Sequence, residues 1–433
     1  MRSQENTDSS TGTKDRNPLR IFVVGGGPAG MLASIEAAKA GAEVTLLEKN
    51  PRVGRKLSQT GNGRCNYTNL SMTGREYRGM HPEFAETANA VFPPEKLIAY
   101  FERLGIMPKY RGTYVYPNSD QASSMVYCLL HEMEHLGIRI LYDTAVREIK
   151  LCTGNAYDRM HFSVMTEKDC FRCDRVILTA GSKAAPVTGS DGDGYLFAKA
   201  FGHRIIPVVP ALTAIRCAGR YYKELAGVRT DAVLKLQVDG HTEETERGEL
   251  QLTDYGISGI PVFQLSRYAS YALKDGKKVT VQINFLPECK ETEIFGLLRE
   301  RRKNLYYKTA EDFLTGFLNN KLSSVLLKLA GIQLKETAGR IKDEKLRQLA
   351  AVMTDYTAEA LSVNPFPNAQ CAAGGADTVE IDPHTMESRI VKGLYFAGEL
   401  LDIDGICGGY NLQFAFSSGY IAGRSAGGRK ETV

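Results

Sequence analysis

The run IFVV at residues 21–24 is apolar throughout and stops at a glycine. Residues 28–40 then carry small and apolar side chains at helical spacing, closed by Gly41, and a second apolar run at 43–47 ends on Glu48. This predicts strand, helix, strand, the opening of a parallel sheet. Residues 174–179 predict a further strand, running into Thr179-Ala180-Gly181, and "SDGDGY" opens a helix. Near the end, 394–397 predicts a short strand, "DIDGICGGYN" a glycine loop, and 412–426 a helix of small residues. The middle differs. "ALTAIRCAG", "AVLKLQVDG", "GELQLTDYGISGIPVF" and "KKVTVQINFLP" alternate or are β-branched, as in a small antiparallel barrel, and the stretch from "ETEIFGLLRERRKN" to "LAGI" predicts helices. The expected organisation is a polar, disordered tail over 1–18, a dinucleotide-binding part over 19–190, an inserted barrel over 191–290, helices over 291–345, and a return to the first domain over 346–433.

With 433 residues, more than one core is expected. The composition, 43% hydrophobic and 24% charged, is that of a soluble globular chain. A net charge of +4 is too small to argue for nucleic acid or a membrane surface. No apolar run approaches the roughly 18 residues of a membrane helix, and the start has no apolar signal core. Nine cysteines, an odd number, in a chain expected in the cytoplasm are read as reduced thiols. Cys170 and Cys173 have C-x-x-C spacing without a second pair, so no metal is expected. Asp191 and Asp193 do not match a calcium loop and are read as helix-capping acids. The basic run Arg299, Arg301, Arg302 and Lys303 reads as a solvated helix face.

The chemistry lies in the glycine turns. Gly25, Gly27 and Gly30 form G-x-G-x-x-G between a strand and a helix. Gly25 permits the tight turn, Gly27 lets backbone approach a pyrophosphate, and Gly30 lets helix and strand pack closely. The helix start, where Pro28 and Ala29 are candidate contacts, offers the free N–H groups that follow the proline and the positive end of its dipole to phosphates. Glu48 is placed to accept hydrogen bonds from ribose hydroxyls, which favours NAD or FAD over NADP. FAD is preferred because a long basic, glycine-bearing loop follows where a plain NAD domain would start a helix. That loop contributes Lys49, Arg55, Lys56, Thr60, Gly61, Asn62, Gly63, Arg64, Cys65 and Asn66 as candidate cofactor contacts. Val146, Ala180 and Gly181 are candidates from the central segment. Gly398, Glu399, Asp404, Gly409, Tyr410, Asn411 and Leu412 are candidates from the closing loop, whose helix start can stabilise negative charge on a flavin.

The stretches "VVGGGPAGMLASIEAAKAGAEVTLLEKN", "GRKLSQTGNGRCNYTN", "TAGSKAAPVTGSDGDGYLFAKAFGH" and "GLYFAGELLDIDGICGGYNLQFAFSSGYIAG" closely resemble the BaiN/YhiN-like flavoproteins, also described as aminoacetone-oxidase-type FAD-binding proteins. The resemblance implies FAD, an α/β Rossmann-like domain split in sequence, and an inserted β-barrel with a helical region. One branch of that family reduces C4–C6 double bonds of 3-oxo bile acids. The expected function is therefore an FAD-dependent oxidoreductase, an enone reductase drawing on NAD(P)H as a transient reductant, since no second nicotinamide fingerprint is present. A flavin-dependent amine or small-molecule oxidase using O₂ is the alternative, and an FAD-containing RNA-modifying or scaffold protein a third. A small-molecule substrate is expected, with no nucleic-acid or membrane partner. Arg64, to polarise a carbonyl, and Tyr410, to donate a proton, are the candidate catalytic residues. Cys65 and Cys407 lie in the same two loops, where a thiol pair would need closeness that sequence does not reveal.

Overall fold

The computed structural model describes residues 18–152 and 161–428. Apart from Pro18, the tail expected over 1–18 lies outside them, as does the end of the chain after 428.

The first core is built on a five-stranded parallel sheet. Its strands are β1 (Arg20–Val24), β2 (Glu43–Leu47), β3 (Arg139–Leu141), β4 (Arg175–Leu178) and β5 (Leu394–Phe396), in the spatial order β5-β4-β1-β2-β3. Ile21, Val23, Leu46, Val176, Ile177, Leu178 and Phe396 are almost completely buried, as parallel strands covered on both faces require. The late strand β5 therefore joins, through β4, the same sheet as the first strand.

Two helices lie side by side on this sheet. The first, α1 (Pro28–Lys39), joins β1 to β2, and a long C-terminal helix (Tyr410–Ala426) packs along it. Small residues set the spacing. A Cβ on Gly419 would stand 2.4 Å from the Ala29 carbonyl oxygen, and one on Gly423 would stand 2.3 Å from that of Ala33. The two backbones touch, and both helix starts come to the same edge of the sheet.

The second core is a closed six-stranded barrel with helices packed on it. Its strands are Ile215–Cys217, Gly256–Ser258, His241–Thr253, Arg229–Val238, Val279–Asn284 and Tyr356–Val363, in that order around the barrel. This corrects the expected boundaries at both ends. Helix Asp193–Ala200 buries Tyr195 and Phe197 in the first core, so the second begins about twenty residues later than 191. Strand Tyr356–Val363 closes the barrel, although the return to the first domain was expected from 346. Its inward residues are Ala358 and Ala360, too small to give a visible hydrophobic alternation. The helices between 291 and 354 pack against the barrel in its core. A two-stranded ribbon, Ile205–Ala211 with Cys371–Ala376, carries the chain between the cores. Inside the insertion, α2 (Ile260–Lys274) follows directly on a barrel strand. The C-terminal helix is α3 below.

The expected solvated face of 299–303 is largely tied down. Arg301 donates to the carbonyls of Phe313 and Thr315, and Arg302 donates to Ile341 and pairs with Asp343. Asp191 and Asp193 pair with Lys49 at 2.6 and 3.4 Å, and Asp191 also accepts from the Asp193 N–H at 3.5 Å, at the start of the helix that Asp193 opens.

Candidate functional site

A single cavity of about 750 Å³ runs along the sheet edge where α1 and α3 begin. Its walls come from segments far apart in sequence. Gly25, Gly27, Pro28 and Ala29 come from the first turn; Glu48, Lys49, Arg55, Lys56, Thr60, Gly61, Asn62 and Asn66 from the loop after β2; Val146, Ala180 and Gly181 from the centre; and Gly398, Glu399, Gly409, Asn411 and Leu412 from the end.

The first turn has the geometry its glycines imply. A Cβ on Gly25 would meet the Thr179 carbonyl oxygen at 2.6 Å, and one on Gly30 the Gly25 carbonyl oxygen at 1.9 Å. Gly30 thus serves helix packing and does not line the cavity. Gly27, the residue before α1, has nothing within 4 Å of its would-be Cβ: that direction is open space. Pro28 at the first helical position leaves no N–H wasted there.

Glu48 closes one end. One carboxylate oxygen accepts from the Gly26 N–H at 2.8 Å; the other accepts from the Asn50 N–H at 2.8 Å and from its side-chain amide at 2.5 Å. These bonds hold the carboxylate at the end of β2 with acceptor capacity to spare. Midway, Lys56 donates to Glu399, which also accepts from Ser182 Oγ at 3.0 Å. This ion pair ties the loop after β2 to the turn after β5.

At the other end α3 begins. Its backbone start lines the cavity through Gly408, Gly409, Asn411 and Leu412. A seventeen-residue helix aims its positive end there. The decapeptide TGNGRCNYTN reaches the same place. Gly61, Asn62 and Gly63 all adopt left-handed backbone (φ 56, 54 and 80), which Gly and Asn tolerate. This turn was expected as a loop and is one tight coil. Asn66 follows it, with its side-chain oxygen buried and without any hydrogen-bond partner. A Cβ on Gly409 would stand 3.0 Å from that oxygen. A buried acceptor left open in a cavity wall asks for a donor from a ligand. Two helix starts, an orphan acceptor at one end, a carboxylate at the other and open space at Gly27 fit an elongated dinucleotide such as FAD.

Six expected contacts lie outside the lining: Gly30, Gly63, Arg64, Cys65, Asp404 and Tyr410. Both candidate catalytic residues are among them. Arg64 is exposed; the Asp120 carboxyl nearby is held low by its hydrogen bond from Lys109 and by Arg111, with Arg64 the smallest contributor. Tyr410 opens α3, but its hydroxyl donates to the Ser71 carbonyl at 2.9 Å and its ring packs edge-on against Tyr77. Burial pushes its hydroxyl up to about 12. Asp404 is buried and paired with Arg267 of α2 at 3.0 Å; burial pushes its carboxyl up to about 6. Cys65 is buried in the first core, while Cys407 lines the cavity together with Cys371. Burial pushes Cys407 up to about 12 and raises Cys371 well above an ordinary thiol, so both stay protonated.

Among the wall residues that sequence reading missed are Tyr114 and Tyr116 on a hairpin, Leu212 after the ribbon, Ile260 at the start of α2, and 367–371. None sits in a glycine motif. Tertiary packing, not local pattern, brings them to the wall.

The sequence profile of the HI0933-like protein Rossmann domain family matches residues 19–425. The chain belongs to that family. It is 40% identical over 412 residues to the 3-dehydro-bile acid delta(4,6)-reductase of Clostridium scindens, covering 95% of this chain and 99% of that protein. It is 29% identical over 410 residues to the ribosomal RNA dihydrouridine synthase of Escherichia coli, covering 92% and 96%. A 3-ketosteroid-delta4-(5alpha)-dehydrogenase from Rhodococcus jostii superposes with a TM-score of 0.45 at 16% identity, over 97% of this chain and 99% of that one, too loosely to carry an argument. This HI0933-like chain is an FAD-dependent oxidoreductase whose Rossmann-type FAD-binding domain carries an inserted antiparallel barrel. No helix among the described residues is long and apolar enough to cross a membrane.

Proposed function

We propose that this protein reduces carbon–carbon double bonds conjugated to a ketone, as in 3-oxo bile acids and steroids, in the cytoplasm with NAD(P)H as a transient reductant. The observation that carries this reading is near full-length 40% identity to a delta(4,6)-reductase in a chain whose cavity has an apolar end beside α3. Bound FAD supplies hydride transfer. In the overall balance, NAD(P)H gives a hydride and solvent a proton, and one C=C becomes CH–CH.

The chain's own residues hold and tune. Gly25, Gly27, Pro28 and Ala29 present backbone to the pyrophosphate, and Glu48 takes the ribose hydroxyls. Asn66 and the start of α3 would hold the flavin ring, whose reduced, negatively charged form the helix dipole would favour. Lys56 and Glu399 brace the middle. The absence of a second G-x-G-x-x-G from the sequence supports transient docking of the nicotinamide cofactor over a dedicated domain for it.

A second reading, modification of RNA, rests on the dihydrouridine synthase relatives. The two readings share their chemistry, since dihydrouridine is uridine with a conjugated double bond reduced. Incubation with NADH or NADPH and either a 3-oxo-4,6-diene steroid or unmodified ribosomal RNA, followed by mass spectrometry, separates them. A gain of two hydrogens on the steroid supports the first; a gain on the RNA alone overturns it.

A further inference from the structure

The apolar end of the cavity has a construction of its own. Leu212 and Cys371 are buried in one small apolar cluster, against which Phe263 of α2 and Cys407 pack. Ile260 stands three residues before Phe263, hence on the same side of α2. It lines the cavity, yet is 59% exposed. Tyr114 also lines the cavity and is 41% exposed, its ring 3.3 Å from a would-be Cβ on Gly408 beside α3. These two large apolar side chains therefore stand where the cavity opens to solvent.

The backbone is shaped to put them there. Gly259, just before Ile260, has φ +103, and a Cβ on it would lie 2.4 Å from the Glu249 carbonyl oxygen. Only glycine lets α2 start so close to the barrel strand. Leu212 lies at φ 49, a left-handed conformation that costs a non-glycine residue of order 1 kcal/mol or more. A strained leucine and an exposed isoleucine on one cavity wall are poor choices for stability alone. They suit an apolar ligand that covers them when bound.

We propose that Ile260, with Leu212 and Tyr114, grips the fused rings of a polycyclic enone remote from its reacting double bond, and so sets a preference for steroid-sized over small enones. The inference rests on the enone-reductase reading above. Binding of the remote rings then contributes to kcat/KM in a way that a one-ring enone cannot exploit.

The test uses the FAD-loaded full chain. The Ile260→Asn variant, changed at an exposed position, is compared with wild type and with Ile260→Val. Calorimetric titration with a saturated 3-oxo steroid gives Kd without turnover. The ratio of kcat/KM for a 3-oxo-4,6-diene steroid to that for 2-cyclohexenone gives selectivity. Ile260→Asn is expected to weaken steroid binding about tenfold, about 1.4 kcal/mol, and to lower the ratio about tenfold through the steroid KM. Ile260→Val is expected to stay within about twofold of wild type. An unchanged Kd and ratio in Ile260→Asn would overturn the proposal. If wild type reduces neither enone, the enone reading fails by itself, and the steroid Kd still judges the grip.

Discussion

Replacing Gly423 with Ala tests how the two helix starts are held together. In an unobstructed helix this change is favourable, by about 1 kcal/mol, because Ala loses less backbone entropy than Gly. Here the added methyl would lie 2.3 Å from the Ala33 carbonyl oxygen, a backbone atom that cannot rotate away. Ordinary contact needs roughly 1 Å more, so α3 must shift off α1 along their seam. Overpacking of this kind costs about 1–3 kcal/mol, which outweighs the propensity gain at all but its lower limit. At about 2–4 °C per kcal/mol for a large domain, the net effect is a fall of a few degrees in Tm. The shift also separates the helix starts that flank the cavity, so FAD occupancy should fall with stability. The control is Gly296, exposed in helix Glu291–Asn304 with nothing within 4 Å of its would-be Cβ. Gly296→Ala should raise Tm slightly. Scanning calorimetry and the flavin-to-protein absorbance ratio of both variants decide the matter. If Gly423→Ala melts as high as Gly296→Ala and keeps its flavin, the close helix seam is not what aligns the site.

Gly27→Val should leave the fold intact and abolish FAD retention, since its side chain would enter open cavity space; far-ultraviolet circular dichroism and released flavin check both halves. Asp404→Asn keeps the size of the buried side chain and takes away the charge that faces Arg267, so its urea unfolding against wild type reads that charge alone. The folded Asp404 carboxyl, raised to about 6, lies above its unfolded value, so its contribution is fully present below about pH 4 and lost as pH rises through 6. Relative to Asp404→Asn, wild-type stability should therefore fall by about 3 kcal/mol between pH 4 and pH 7, and a constant difference refutes the burial argument. Alkylation with iodoacetamide at pH 8, read by mass spectrometry, should mark exposed Cys170 well before Cys371 or Cys407, whose thiols burial keeps protonated.

The flavin-domain half was legible because its signals are local. A strand, a glycine turn and a helix fall within about thirty residues, and β1, α1 and β2 lie within a residue or so of where periodicity placed them. Most of the expected cofactor contacts line one cavity for the same reason: a glycine that must admit a ligand's backbone approach leaves a mark in sequence. Side-chain direction leaves none. Arg64 and Tyr410 sit in the right loops, but a left-handed turn puts Arg64 at the surface and Ser71 takes the Tyr410 hydroxyl. The last barrel strand was missed because alanines face its core, and Leu212 and Ile260 because only tertiary pairing brings them to the wall.

The central claim, a flavin that passes hydride to a conjugated double bond, is tested most directly by anaerobic flavin spectroscopy. Purified protein should be yellow and release FAD, not FMN, on denaturation. After anaerobic bleaching with NADH or NADPH, one equivalent of a 3-oxo-4,6-diene steroid should restore the oxidised spectrum stoichiometrically, with reduced steroid recovered. A bleached flavin that ignores the dienone, and regains its colour only with O₂ or with ribosomal RNA, would contradict the account.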